Sequence, residues 1–172
     1  MSTPVSSSPA LPIAHAALRI LIVVNWVGGA AFVVLLVALP TSWFQSALGV
    51  SPGADAGGLM VGLAIVLLGF PCVLLNYAVL KRLLAMVETV RTGDPFVAAN
   101  AHRLRGIAWA LLALQLLRVV GGAVEAVSTR RSPLYVDAGF SVTGWLAVLL
   151  TFVLARVFAQ GALMRDDLEG TV

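Results

Sequence analysis

LKRLLAMVETVRTGDPFVAANAHRLRGIAWALLALQLLRVV, residues 80–120, is the stretch whose reading decides the fold. Its centre, Thr92-Gly93-Asp94-Pro95, is a stop followed by a start. Gly93 suits the left-handed residue that closes one helix, and Asp94 and Pro95 suit the N-cap and first position of the next, because a capping carboxylate accepts from first-turn N–H groups and proline needs no hydrogen bond there. Before the stop, Leu83, Leu84 and Val87 form an apolar face just beyond the basic pair Lys81 and Arg82. After it, Arg103 and Arg105 precede a second apolar run. The stretch reads as the turn of a helical hairpin whose two arms both lead into hydrophobic segments.

Following the arms outward gives residues 57–80 on one side and 107–127 on the other, the latter apolar except for Gln115, Arg118 and Glu125. Each is long enough to cross a bilayer, which takes about 20 residues. Two further runs of this kind lie at 20–39, with a start near residue 14, and at 138–161, interrupted only by Arg156. The fold predicted is all-α: an integral membrane bundle of four transmembrane helices at about 14–39, 57–91, 95–127 and 138–163. They form one domain, residues 13–165, between a disordered leader (1–12) and an acidic tail (166–172). The third helix is about 48 Å long at 1.5 Å per residue, so the hairpin projects beyond the membrane.

Composition agrees. Of 172 residues 60% are hydrophobic and only 11% charged, with a mean hydropathy of +0.99. A soluble domain needs about a quarter of its residues charged, and a disordered chain needs low hydrophobicity, so both classes are excluded. The single cysteine, Cys72, excludes an internal disulfide, a CxxC pair and a thiolate metal cluster. Residues 1–12 are rich in Ser and Pro and lack the basic region of a cleaved signal.

The placement of cations sets the orientation. Arg19, Lys81, Arg82, Arg91, Arg103, Arg105, Arg156 and Arg165 flank one side of the spans; Arg130 and Arg131 flank the other, and residues 40–58 carry none. The positive-inside rule places both termini and the hairpin in the cytoplasm, with Trp43, Phe44 and Tyr135 in an outer aromatic belt.

Gly93-Asp94-Pro95-Phe96, Asn100 and Arg103-Leu104-Arg105-Gly106-Ile107, together with Thr143-Gly144-Trp145, Leu154-Ala155-Arg156-Val157-Phe158 and the tail 164–172, resemble the signature blocks of the DUF2975 family of small bacterial membrane proteins. The resemblance covers roughly residues 63–172. It implies a four-helix protein of the bacterial inner membrane with no assigned activity, often encoded beside a small helix-turn-helix regulator of the Cro/repressor type. That regulator is the partner it suggests.

Two groups of residues are candidate sites. Gln115, Arg118, Gly122 and Glu125 fall on one helical stripe, and Asn25 is a polar group on the first helix, so Arg118, Glu125, Gln115 and Asn25 form a candidate intramembrane polar site. A mid-span Arg costs about 2.5 to 3.5 kcal/mol on insertion scales, so it is expected to face protein or water. The second group, Phe96, Asn100, His102, Arg103 and Arg105, is a candidate docking surface for a soluble partner. Its simpler reading is topogenic charge that also attracts anionic lipid. Small residues at steps of four on helix four (Gly139, Thr143, Ala147, Thr151, Ala155, Ala159) suit close packing within the bundle or between copies in a homo-oligomer. Pro71 is expected to kink helix two.

No HExxH, GxSxG or phosphate-cradling GxxxxGK[ST] occurs, and His15 at the membrane edge of the first helix and His102 in the hairpin are not expected to pair on a metal or haem. The expectation is a non-enzymatic membrane protein without cofactor or metal and without direct nucleic-acid binding. Two roles stay open: a membrane-side partner or sensor for a cytoplasmic regulator, or a small transporter, channel or ligand-binding bundle around Arg118.

Overall fold

The computed structural model describes residues 10–38, 41, 56–91, 93, 96–128 and 141–169. They form four helices: α1 (Ala10–Ala38), α2 (Ala56–Arg91), α3 (Ala98–Ser128) and α4 (Val142–Glu169). Each holds a segment long and apolar enough to cross a membrane, with mean hydropathies of 2.6, 1.5, 1.6 and 2.0 in chain order. This is the helix set of a multi-pass membrane protein. The helix ends differ from the sequence expectation in instructive ways. α1 begins at Ala10, so Leu11 and Pro12 are helical rather than leader; proline is tolerated in a first turn, whose N–H groups are unpaired anyway. α4 runs on to Glu169, taking in part of the acidic tail. α2 continues through Pro71 as one helix.

The hairpin turn divides the expectation. Gly93 has φ +89° and its N–H donates to the Val90 carbonyl at 3.1 Å, the left-handed stop that a residue without Cβ allows. The next helix starts at Ala98, however, three residues after Pro95, and Phe96 and Val97 are not helical. The reason is packing: leaving the helical path lets the Phe96 ring lie against Phe158 of α4, with centroids 5.3 Å apart. The cap assigned to Asp94 and Pro95 falls on residues outside those described.

Each helix packs antiparallel on its neighbour in sequence, α1 on α2, α2 on α3 and α3 on α4. The contacts fix the direction: His15 meets Glu88, Thr89 meets Asn100, and Phe96 meets Phe158 at one end, while Phe32 meets Gly69 and Gln115 meets Gly144 farther along. The start of α1, the end of α2, the start of α3 and the end of α4 therefore share one end of the molecule, and that end carries all eight flanking cations. The core is narrow. Its buried apolar side chains among the described residues are Leu104, Ile107, Ala108 and Ala110 of α3 and Val148, Ala155 and Ala162 of α4. Those α4 positions repeat every seven residues, the spacing of a left-handed helix seam. The expected row at steps of four does not stay on the seam: Ala155 is buried but Ala147 is exposed, since four residues overshoot a turn by about 40°. Most other large apolar side chains of the four helices face outward, as lipid-facing side chains do.

Candidate functional site

The basic end is built on Asn100. It is the largest fully buried side chain among the described residues, and burying an amide without partners is costly, so its hydrogen bonds matter. Its Nδ2 donates to Thr89 Oγ1 across the hairpin at 2.8 Å, and the Thr89 hydroxyl in turn donates to the Met86 carbonyl at 2.7 Å. Its Oδ1 accepts from the Arg103 guanidinium at 2.7 Å, and Arg103 also reaches across to the Ala85 carbonyl at 3.3 Å. A further contact sets Arg82 of α2 against Gly106 of α3, where a Cβ would crowd its guanidinium. Two of the five residues in the expected docking group are thus internal struts: Asn100 and Arg103 hold α2 to α3. Phe96, His102 and Arg105 remain on the surface.

Two cavities open at this end. One, of about 510 Å³ between α3 and α4, is lined by alanines of both helices, Ala98, Ala101, Ala155, Ala159 and Ala162, together with His102, Arg105 and Arg156. The other, of about 470 Å³, shares His102 and Arg105 with the first and adds Arg82, Arg103 and Trp109. Trp109 stands edge-on to Phe152, centroids 5.5 Å apart, and Phe152 lines the first cavity. Ala155 and Ala159 were visible in the sequence only as good packing; the cavity they line depends on which residues of α3 face them.

The expected intramembrane group does not gather in one place. Asn25 donates to the Val73 carbonyl of α2 at 3.2 Å and so ties α1 to α2. Gln115 is 94% buried and lies over Gly144 of α4, where any Cβ would collide with its amide. Gln115 Oε1 has no hydrogen-bond partner among the described residues. Arg118, one turn farther along α3, is exposed on the outer surface, within electrostatic reach of Cys72 of α2, and lines neither of the two cavities above. The side chain of Glu125 lies outside the described residues. Among the described residues no three His, Cys, Asp or Glu side chains gather as metal ligands. Glu88, near the end of α2, pairs with Arg91 at 3.1 Å and approaches His15 of α1 to 3.9 Å, a cluster that joins the start of α1 to the end of α2.

Compared with known proteins, residues 63–172 match a family described as "Protein of unknown function (DUF2975)". No curated protein and no solved structure matches the chain.

Proposed function

The chain belongs to the DUF2975 family, and from that premise and the build of the basic end we propose that it is a non-enzymatic protein of the bacterial inner membrane whose α2–α3 hairpin docks a cytoplasmic helix-turn-helix regulator. In this reading both termini and the hairpin lie in the cytoplasm, because all eight flanking cations share that end. The observation that carries the proposal is the buried Asn100 network. A loop needed only for topology gains nothing from a fully buried amide bonded across the turn, whereas a docking surface binds more tightly when it is ordered beforehand. The network leaves Val90, Arg91, Phe96 and His102 facing out at the tip, apolar anchors beside cations. Co-purification from detergent-solubilised membranes with the regulator encoded beside it tests this. A complex is expected with the wild-type chain and loss of most of it with Arg91→Glu/His102→Glu. No complex with wild type, or an undiminished one with the double variant, removes the reading.

A further inference from the structure

We propose that the α3–α4 cavity at the basic end binds a small soluble phosphate monoester with a compact apolar body, its phosphate held by Arg105, Arg156 and His102. The inference does not rest on regulator docking and stands without it.

That the cavity is held open is the first argument. Alanines on facing helices ordinarily let the two backbones close up, because methyl groups keep little space between them. Here Ala98 and Ala101 of α3 and Ala155, Ala159 and Ala162 of α4 line a cavity of about 510 Å³ instead, within the range of about 300 to 1,000 Å³ usual for small-ligand sites. Aromatic pairs stand at both of its ends. Trp109 meets Phe152 at the membrane side, centroids 5.5 Å apart, and Phe96, just before α3, meets Phe158 at the hairpin side, 5.3 Å apart, with its ring also against Gly161. These two spacers keep the alanines apart.

The direction in which the cavity extends is the second argument. The antiparallel register, fixed by Trp109 on Phe152 and Gln115 on Gly144, sets Arg105 level with Arg156. Both stand where an uncharged run stops, residues 106–117 on α3 and 142–155 on α4. Most of the alanine lining lies beyond that pair, toward the hairpin, with Ala98 and Ala101 before Arg105 and Ala159 and Ala162 after Arg156. An occupant therefore enters from water at the basic end. A membrane lipid, whose chains must run the opposite way into hydrocarbon, does not fit.

Charge selects the occupant's class. Arg105, Arg156 and His102 make no ion pair or hydrogen bond with another described residue, whereas Arg82, Arg91 and Arg103 of the same end all do. Among the described residues no Asp or Glu lines this cavity or the adjoining one, to which Arg82 and Arg103 add positive field. Guanidinium presents paired N–H donors that match the spacing of phosphate oxygens. A carboxylate has two oxygens to share among three such groups, whereas a phosphate monoester has three terminal oxygens and about two negative charges at neutral pH. Toward the hairpin the lining is alanine and Leu163, which offer no side-chain hydrogen bonds and suit an apolar body.

Isothermal titration calorimetry of the full chain in phosphatidylcholine nanodiscs, with phenyl phosphate as the probe, tests the site. One equivalent is expected to bind, about tenfold more tightly than inorganic phosphate because the ring is buried, while benzyl alcohol, a ring without the charge, shows no binding. Arg105→Gln and Arg156→Gln are each expected to weaken binding about tenfold, and Arg105→Lys/Arg156→Lys is expected to lose less than the double Gln variant, which separates lost charge from lost fold. Ala159→Leu fills the cavity and is expected to abolish the preference for phenyl phosphate while inorganic phosphate still binds; Ala159→Ser is expected to keep that preference. No binding by wild type, equal affinity for phenyl and inorganic phosphate, undiminished binding in the double Gln variant, or an unchanged preference in Ala159→Leu overturns the proposal. Competition by phosphatidic acid in the nanodisc, but not by phosphatidylglycerol of equal charge, also overturns it, because the site is then one for a lipid.

Discussion

α1 and α3 are nearly equal in length, 29 and 31 residues, yet they stand in opposite relations to the rest of the molecule. The span in α1 is the most hydrophobic of the four, with mean hydropathy 2.6, and 6% of it is buried; that in α3 has mean hydropathy 1.6, and 22% of it is buried. In water the order is the reverse, since hydrophobic side chains leave the surface. In lipid nothing drives an apolar side chain inward, and helices associate through close packing of small residues and through polar contacts. α3 supplies both, with Ala108, Ala110 and Gly106 for approach and Asn100, Arg103 and Gln115 for polarity. α1 touches α2 through Phe32 on Gly69, the Trp26–Tyr77 ring pair at 5.4 Å, and the Asn25 bond. The family match, residues 63–172, covers α3 and α4 entirely and leaves α1 out.

The contrast can be broken first at its strongest point. Asn100→Ala removes hydrogen bonds to Thr89 and Arg103 from a fully buried site, and the expected cost is about 3 kcal/mol, read by thermal unfolding in detergent and by faster proteolysis near residues 91–97. Asn100→Asp keeps the acceptor for Arg103 and is expected to recover part of that loss. If Asn100→Ala unfolds like wild type, the hairpin is not held by this network.

Gly69→Ala attacks the other region. A Cβ there would collide with the Phe32 ring, and a ring cannot yield as a flexible chain end can, so α1 must move off α2 at an expected cost of about 2 kcal/mol. Cross-linking between cysteines placed on α1 and α2 is expected to fall while the hairpin keeps its protease resistance. Loss of both together shows that α1 is as integral as α3.

Asn25→Leu is expected to cost only about 0.6 kcal/mol, the average for a hydrogen bond between helices in a membrane, measured by unfolding in bicelles. A cost above 2 kcal/mol makes this single bond the anchor of α1. Gln115→Leu replaces an amide whose Oε1 is buried without a partner by an apolar group of similar size, and stability is expected to hold or rise slightly. A clear loss of stability assigns Gln115 a partner in the native membrane. The smallest effect belongs to Glu88→Gln at the exposed cluster with Arg91 and His15, expected below about 0.5 kcal/mol and shrinking further in high salt.

Residues with one-dimensional meaning were legible in the sequence. Gly93 read as a helix stop and has positive φ; the four apolar runs read as four spans; the cations read as one end of the molecule. What the sequence grouped by stripe, the structure distributed by contact. Gln115 and Arg118 are about 60° apart around α3, close enough to share a stripe, but the seam with α4 covers only one of them because Gly144 leaves room for the amide of Gln115. In the same way Asn100 and His102 belong to one basic motif, yet one is wholly buried and the other exposed. The start of α3 was misplaced because Asp94 and Pro95 make good local start signals, and nothing local reveals that Phe96 packs against Phe158 of α4.

The sequence by itself determined that this protein is helical, that it has four membrane-length spans, and that eight of its 11 Lys and Arg residues gather at one end. Those properties follow from the length of apolar runs and the order of charges along the chain. Only the tertiary structure decided which polar residues are struts and which face out, and that alanines of α3 and α4 line a cavity shared with Arg105 and Arg156. A side chain's facing depends on the crossing of two helices and on the volume of the residue opposite, and neither is a property of any one segment.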